Sequence, residues 1–179
     1  MPELAKKYVP IDVRSELRAQ AVKVWAITCV FVLVWLLQTV LPPFLIENGA
    51  SKAAAAIYGF FSYVCHQIPE RSFQVLNHQF AVCSRCFGVY FGLFAGILTY
   101  PLWRPVDSVE PLPRMWLFLS LVPIAIDWSL GVFGIWENNH FSRFVTGLIL
   151  GIACAVYIVP ALVEIVRNLS HRRFRTFVD

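Results

Sequence analysis

Four apolar stretches, at 24–46, 86–103, 115–136 and 144–166, constrain this chain more than any other feature. A helix crossing a bilayer needs about 20 largely apolar residues, since each adds about 1.5 Å toward a hydrocarbon core about 30 Å thick. All four meet or nearly meet that length. The expected fold is therefore all-α, a polytopic integral membrane protein with four transmembrane helices. Composition agrees: 58% of the residues are hydrophobic and 15% charged, whereas apolar residues make up about half of a soluble domain. A further apolar stretch, 53–64, is too short to span and reads as a re-entrant or interfacial helix with Ser51 as its cap.

The first span is longer than a signal-peptide core and no small-residue cleavage site follows it, so it is expected to stay in the mature protein. No long-period repeat or low-complexity tract interrupts the chain, and the Pro-rich segment 103–114 reads as a tight loop. Residues 1–179 are read as a single membrane domain with tails at 1–23 and 167–179.

The net charge of +4 does not indicate a nucleic-acid partner, because the basic residues sit at the ends of the apolar spans. Eleven of the fifteen fall on one side: Lys6, Lys7, Arg14, Arg18 and Lys23 before the first span, Arg104 and Arg114 in the second-to-third loop, and Arg167, Arg172, Arg173 and Arg175 after the fourth. Lys52, Arg71, Arg85 and Arg143 fall on the other. The positive-inside rule makes the first side cytoplasmic. Both termini are then expected inside the cell inner (plasma) membrane, with the loop 65–86 facing outward.

That loop, CHQIPERSFQVLNHQFAVCSRC, holds three of the five cysteines and two of the four histidines. Cys65, His66, Cys83 and Cys86 form a Cys₃His set of the kind that binds zinc tetrahedrally once deprotonated. His78 is a substitute ligand in the same loop. Disulfides persist outside the cytoplasm, so Cys83-Ser84-Arg85-Cys86 also reads as a redox pair, with Cys65 able to bridge either member. Cys29 and Cys154 lie within spans and read as small apolar fillers. His171 reads as a solvated tail residue and His140 as a loop residue.

Helical geometry adds two stripes along which backbones can approach closely: Gly88, Gly92 and Gly96 in the second span, Gly147 and Gly151 in the fourth. At 100° per residue Arg85 tops the first stripe and Arg143 the second, while Cys83 and Cys86 point to the opposite side of their helix. Both arginines also suit a headgroup-anchoring role. Asp127 lies about nine residues from the outer end of the third span, or about 13 Å at helical rise. A carboxylate at that depth is costly unless paired, protonated or wetted. Arg85 and Arg143 are its candidate partners, in a functional pocket or in a purely structural ion pair.

Two motifs carry a resemblance. C-H-Q-x-P-x-R-S-F at 65–73, Gln79 and V-C-x-R-C-x-G-x-Y-x-G at 82–92 are followed by Asp127 and by Asn139, Arg143, Thr146 and Gly147. Together they resemble the signature of a family of small bacterial and archaeal membrane proteins catalogued as domain of unknown function two-thousand-eighty-five. The resemblance covers most of residues 58–155. It implies a fold and a set of functional positions and brings no activity with it.

Three classes of function follow. The first is a metal-dependent enzyme embedded in the bilayer and acting on a lipid-soluble or envelope substrate. In it His66, Glu70 and Asp127 carry the catalysis, and Arg71, Arg85, Asn139 and Arg143 bind an anionic group such as a phosphate. The second is a quinone-linked thiol-disulfide oxidoreductase, similar in size and C-x-x-C placement to the bacterial disulfide-generating membrane oxidase but without that enzyme's second cysteine pair. The third is a non-enzymatic accessory subunit of an oligomer or larger membrane complex, or a small transporter with Asp127 as its ion site.

Overall fold

The structure is a computed structural model that describes residues 11–110 and 112–175. Lys6 and Lys7 lie outside the described residues, as do the side chains of His171, Arg172, Arg173 and Arg175. Five helices follow in order: α1 Ile11–Glu47, α2 Ser51–Phe61, α3 Ser84–Trp103, α4 Met115–Val132 and α5 His140–Arg175. All but α2 are long and apolar enough to cross a membrane. The chain is an all-α polytopic membrane protein, with α2 as the short fifth helix.

Helix α1 starts well before the expected span. The stretch SELRAQAVK is rich in good helix formers and continues the helix into charged sequence. At 37 residues, α1 is about 55 Å long and outreaches the hydrocarbon core. It also runs through Pro42 and Pro43 rather than ending there. Proline has no N–H, so Pro43 leaves the Thr39 carbonyl without its helical donor. The Ala81 N–H fills that place at 2.8 Å. Pro101 in α3 similarly frees the Ile97 carbonyl, which accepts the Trp25 indole N–H at 2.7 Å. These two proline defects thus become ties between α1 and another element.

Two glycines in the left-handed region end helices by the same device. After α1, Gly49 has φ 77°, its N–H reaches Ile46 O at 3.0 Å, and the Ala50 N–H reaches Leu45 O at 2.8 Å. After α4, Gly134 has φ 66°, its N–H reaches Gly131 O and that of Ile135 reaches Leu130 O. This is the Schellman pattern of paired closing bonds. Helix α4 therefore stops at Val132, four residues short of the expected 136. Ala50, not Ser51, occupies the cap position of α2, with no side-chain cap bond.

The tightest packing joins α3 to α5. A Cβ at Gly88 would run into the Phe144 carbonyl, and one at Gly92 into that of Leu148. From the other side, a Cβ at Gly147 would meet the Arg85 carbonyl, and one at Gly151 that of Val89. Backbone lies on backbone along both stripes. Helix α1 packs on α2 and α3, and α4 packs substantially only on α5.

The segment between α2 and α3 is ordered. It contains a turn of 3-10 helix at Pro69–Arg71 and a two-stranded antiparallel hairpin, β1 Gln74–Val75 and β2 His78–Gln79. The two turn residues, Leu76 and Asn77, both have positive φ, which gives the tight turn that matches strand twist.

The seam sets a direct expectation. Gly92→Ala should cost several kcal/mol, in the range of overpacked interiors, read as a lowered midpoint in detergent unfolding. Gly59→Ala, on an open face of α2 where nothing lies within 4 Å of the added carbon, should leave the midpoint unchanged or raise it by up to about 1 kcal/mol.

Candidate functional site

The loop after α2 is held by amides rather than by its charged residues. Gln67, at φ 51°, donates from Nε2 to the carbonyls of Tyr58 and Ala81, both at 2.8 Å. Gln79 Nε2 donates to Gln67 O at 3.2 Å, and the Tyr58 hydroxyl donates to Gln79 O at 2.5 Å. This lattice fixes residue 65 beside the start of α3. Cys65 is buried there with Phe61, Ala81 and Val82, under Trp35 and Tyr90.

Three thiols converge at that point. The sulfurs of Cys65, Cys83 and Cys86 all lie within 4.8 Å of one another. Cys83 caps α3 with extended backbone, and Cys86 follows less than a turn later. The Cys83 N–H donates to Cys65 Sγ at 3.2 Å, a contact that favours negative charge on sulfur. All three are free thiols. The Cys65 and then the Cys86 side chains hold the Cys83 thiol far below the ordinary thiol range. Tetrahedral zinc with bonds of about 2.3 Å would need sulfurs about 3.8 Å apart, a contraction that side-chain rotation can supply. Cys29 and Cys154 do not join this group.

Beside the thiols opens a cavity of about 780 Å³. His66, Arg71, Arg85 and Arg143 are in its lining, with Glu137 and Asn138. Val64, Trp128, Val132 and Trp136 line it too. Arg85 is ion-paired through Nη2 to Asp127, the only ion pair among the described residues. Asp127 is 8% exposed. Its carboxylate also accepts from Asn138 Nδ2 at 2.9 Å, and the same amide reaches the Asp127 carbonyl at 2.6 Å. Because α4 ends early, Asp127 stands five residues from its end, about 7.5 Å rather than 13 Å deep.

Several expected residues sit elsewhere. His66 is exposed at the cavity wall and does not join the three sulfurs, because neighbouring side chains diverge on the non-helical segment that turns Cys65 inward. Glu70 is exposed on the 3-10 turn and does not line the cavity. Asn139 caps α5 instead, its Oδ1 accepting the Ser142 N–H at 2.8 Å. His78 faces a separate hollow with Gln74 and Asn77, away from the thiols. Asp127 turns toward Arg85 and Asn138 and does not line this cavity.

Sequence reasoning missed a second set of residues. Ser84 donates to Arg71 O at 2.9 Å, and its oxygen lies 2.7 Å from His140 Nδ1. The single hydroxyl proton is spent on the carbonyl, so His140 Nδ1 is the donor of the second bond. His140 thus opens α5 as a tie to α3 and to Arg71, and its ring lies 5.5 Å from that of Phe73. Gln67 was legible only as a position of the C-H-Q motif, and Asn138 only as the polar neighbour of Asn139. Nothing in their spacing marked them as the amides that bind Asp127 and the Cys65 turn.

The site and the spans together define a class: a small polytopic helical membrane protein with a thiol cluster and an arginine-lined cavity at one end. The profile of the family described as predicted membrane protein (DUF2085) matches residues 65–157, and the chain belongs to that family. It is 33% identical over 150 residues to the uncharacterized protein MJ1492 of Methanocaldococcus jannaschii, covering 80% of this chain and 96% of that one. An uncharacterized protein of Methanothermobacter thermautotrophicus is 42% identical over 96 residues, or 54% of this chain and 85% of its own. No solved structure matches.

The ion pair can be tested by a double-mutant cycle in detergent unfolding. Arg85→Met should cost about 3 kcal/mol, and adding Asp127→Asn should recover much of it. Arg143→Met combined with Asp127→Asn should be additive.

Proposed function

We propose that this protein is a metal-dependent, membrane-embedded enzyme whose centre is held by Cys65, Cys83 and Cys86 and whose anionic substrate enters the adjoining cavity. The observation that carries this reading is the convergence of three thiols within 4.8 Å at the wall of a polar cavity. Three protein ligands and one position open to substrate or water is the arrangement of catalytic zinc sites. Zinc bound there would supply a Lewis acid and an acidified water.

The chain's own residues do the remaining work. Arg71 and Arg143 attract and orient the anion, and Arg85 is held in place by Asp127 and Asn138. His66, exposed at the cavity wall, is placed to take up or deliver a proton. Among the described residues Arg14, Arg18, Lys23, Arg104, Arg114 and Arg167 fall toward the opposite ends of their helices, which supports an outward-facing site with cytoplasmic termini.

A second reading has its own observation. Cys83 and Cys86 are one C-x-x-C pair with Cys65 close enough to attack either, as a quinone-linked thiol oxidoreductase would require.

Elemental analysis of purified protein separates the two. The metal reading expects about one zinc per chain, falling to background in Cys65→Ser, Cys83→Ser and Cys86→Ser and retained in His66→Ala. Metal-free protein with a reducible Cys83–Cys86 bond would establish the second reading instead. Orientation is checked by a reporter fused after Asp179: a reporter that works only in the cytoplasm should be active, and activity of an exported reporter would reverse the assignment.

A further inference from the structure

The cavity beside the thiols is lined by both cationic and apolar side chains. Arg71, Arg85 and Arg143 all contribute to its wall. Three cations gathered in one space need counter-charge. Asp127 is ion-paired to Arg85 among the described residues, and Glu137 is the one carboxylate in the lining. Arg71 and Arg143 have no ion-pair partner among the described residues. Arg85 Nε is buried without a hydrogen-bond partner, although Nη2 of the same group is committed to Asp127.

Apolar side chains contribute to the same lining. Val64, Trp128, Val132 and Trp136 line the cavity yet are each more than half exposed. Helix α4 packs substantially only on α5, so its outer end does not close against α1 or α2. That end of the helices lies at the edge of the apolar spans, where headgroups meet acyl chains, and tryptophan is suited to this zone.

We infer that the cavity seats the phosphate headgroup of an anionic lipid. The phosphate lies on Arg71 and Arg143, beside Arg85, and the chains leave past Trp128, Val132 and Trp136. The inference deepens the proposed function by naming its substrate class, and it rests on the same site. Guanidinium groups offer paired, planar donors matched to phosphate oxygens. The volume of about 780 Å³ suits a headgroup with the first segments of its chains. A soluble phosphate would use the arginines but not the apolar wall.

The test uses full-length protein in detergent with three probes: dioleoyl phosphatidic acid, dioleoylglycerol, which has the chains without the phosphate, and inorganic phosphate. Phosphatidic acid should raise Tm by roughly 5 °C at saturation, with no shift from the other two. Arg71→Gln and Arg143→Gln should each weaken that binding roughly tenfold, and Trp128→Ala should weaken it also. Lys52→Gln, which removes a cation from the same end but outside the cavity, should bind as the parent does. Equal stabilisation by inorganic phosphate or by dioleoylglycerol overturns the inference. So does unchanged binding in both arginine variants, or an equal loss in Lys52→Gln. Zinc content is read on the same samples. Metal-free protein that still binds phosphatidic acid through the arginines upholds the lipid seat and removes the metal reading, so the two fail separately.

Discussion

Backbone contact between α3 and α5 is the constraint on which the rest of the structure depends. Glycines facing carbonyls let the two helices approach closely enough that their first turns lie side by side. Lipid offers helices no hydrophobic gain on association, so such close packing is a main source of attraction between spans. The seam also sets the register of the site. Arg85 sits against Gly147, so Arg85 and Cys86 on one helix and Arg143 on the other come to a single cavity. The Ser84–His140 hydrogen bond ties the same two ends, and the Ser84 bond to the Arg71 carbonyl carries that tie into the loop.

Prolines perform a complementary service. Inside a bilayer a carbonyl released from its helical bond has no water to turn to, and each unmet group costs free energy. At Thr39 and Ile97 the released carbonyl accepts a donor from another element. The donors are specific, a loop amide and an indole N–H, so they fix where α1 lies against the thiol-bearing loop and against α3. Helix α1 is thereby anchored at two heights, one of them at Ala81 in the cluster that buries Cys65.

Much of the fold was legible because its causes are local. Apolar run length marks the four spans, the fourfold glycine spacing marks the α3–α5 seam, and the depth of Asp127 demands a cation. What escaped depends on geometry that no short pattern encodes. The hairpin turns at Leu76-Asn77, where a leucine takes a positive φ against its own preference and no glycine announces the turn. The first turn of α5 decides that Asn139 caps the helix while its neighbour Asn138 reaches Asp127. His66 parts from Cys65 because the loop has no period to align them. The early end of α4 was readable from Gly134, whereas the charged sequence before residue 24 hid how far α1 extends toward the N-terminus.

Chain order gives the ion pair a role during synthesis. Helix α4 emerges from the ribosome before α5, which is its main packing partner. For that interval it carries a carboxylate into lipid with no neighbouring span to shelter it, a situation that normally disfavours retention. Arg85 lies upstream, at the start of the span already inserted. The cation is therefore in position before the acid arrives, and the same contact that orients the cavity in the finished protein holds the third span in the membrane until the fourth can dock.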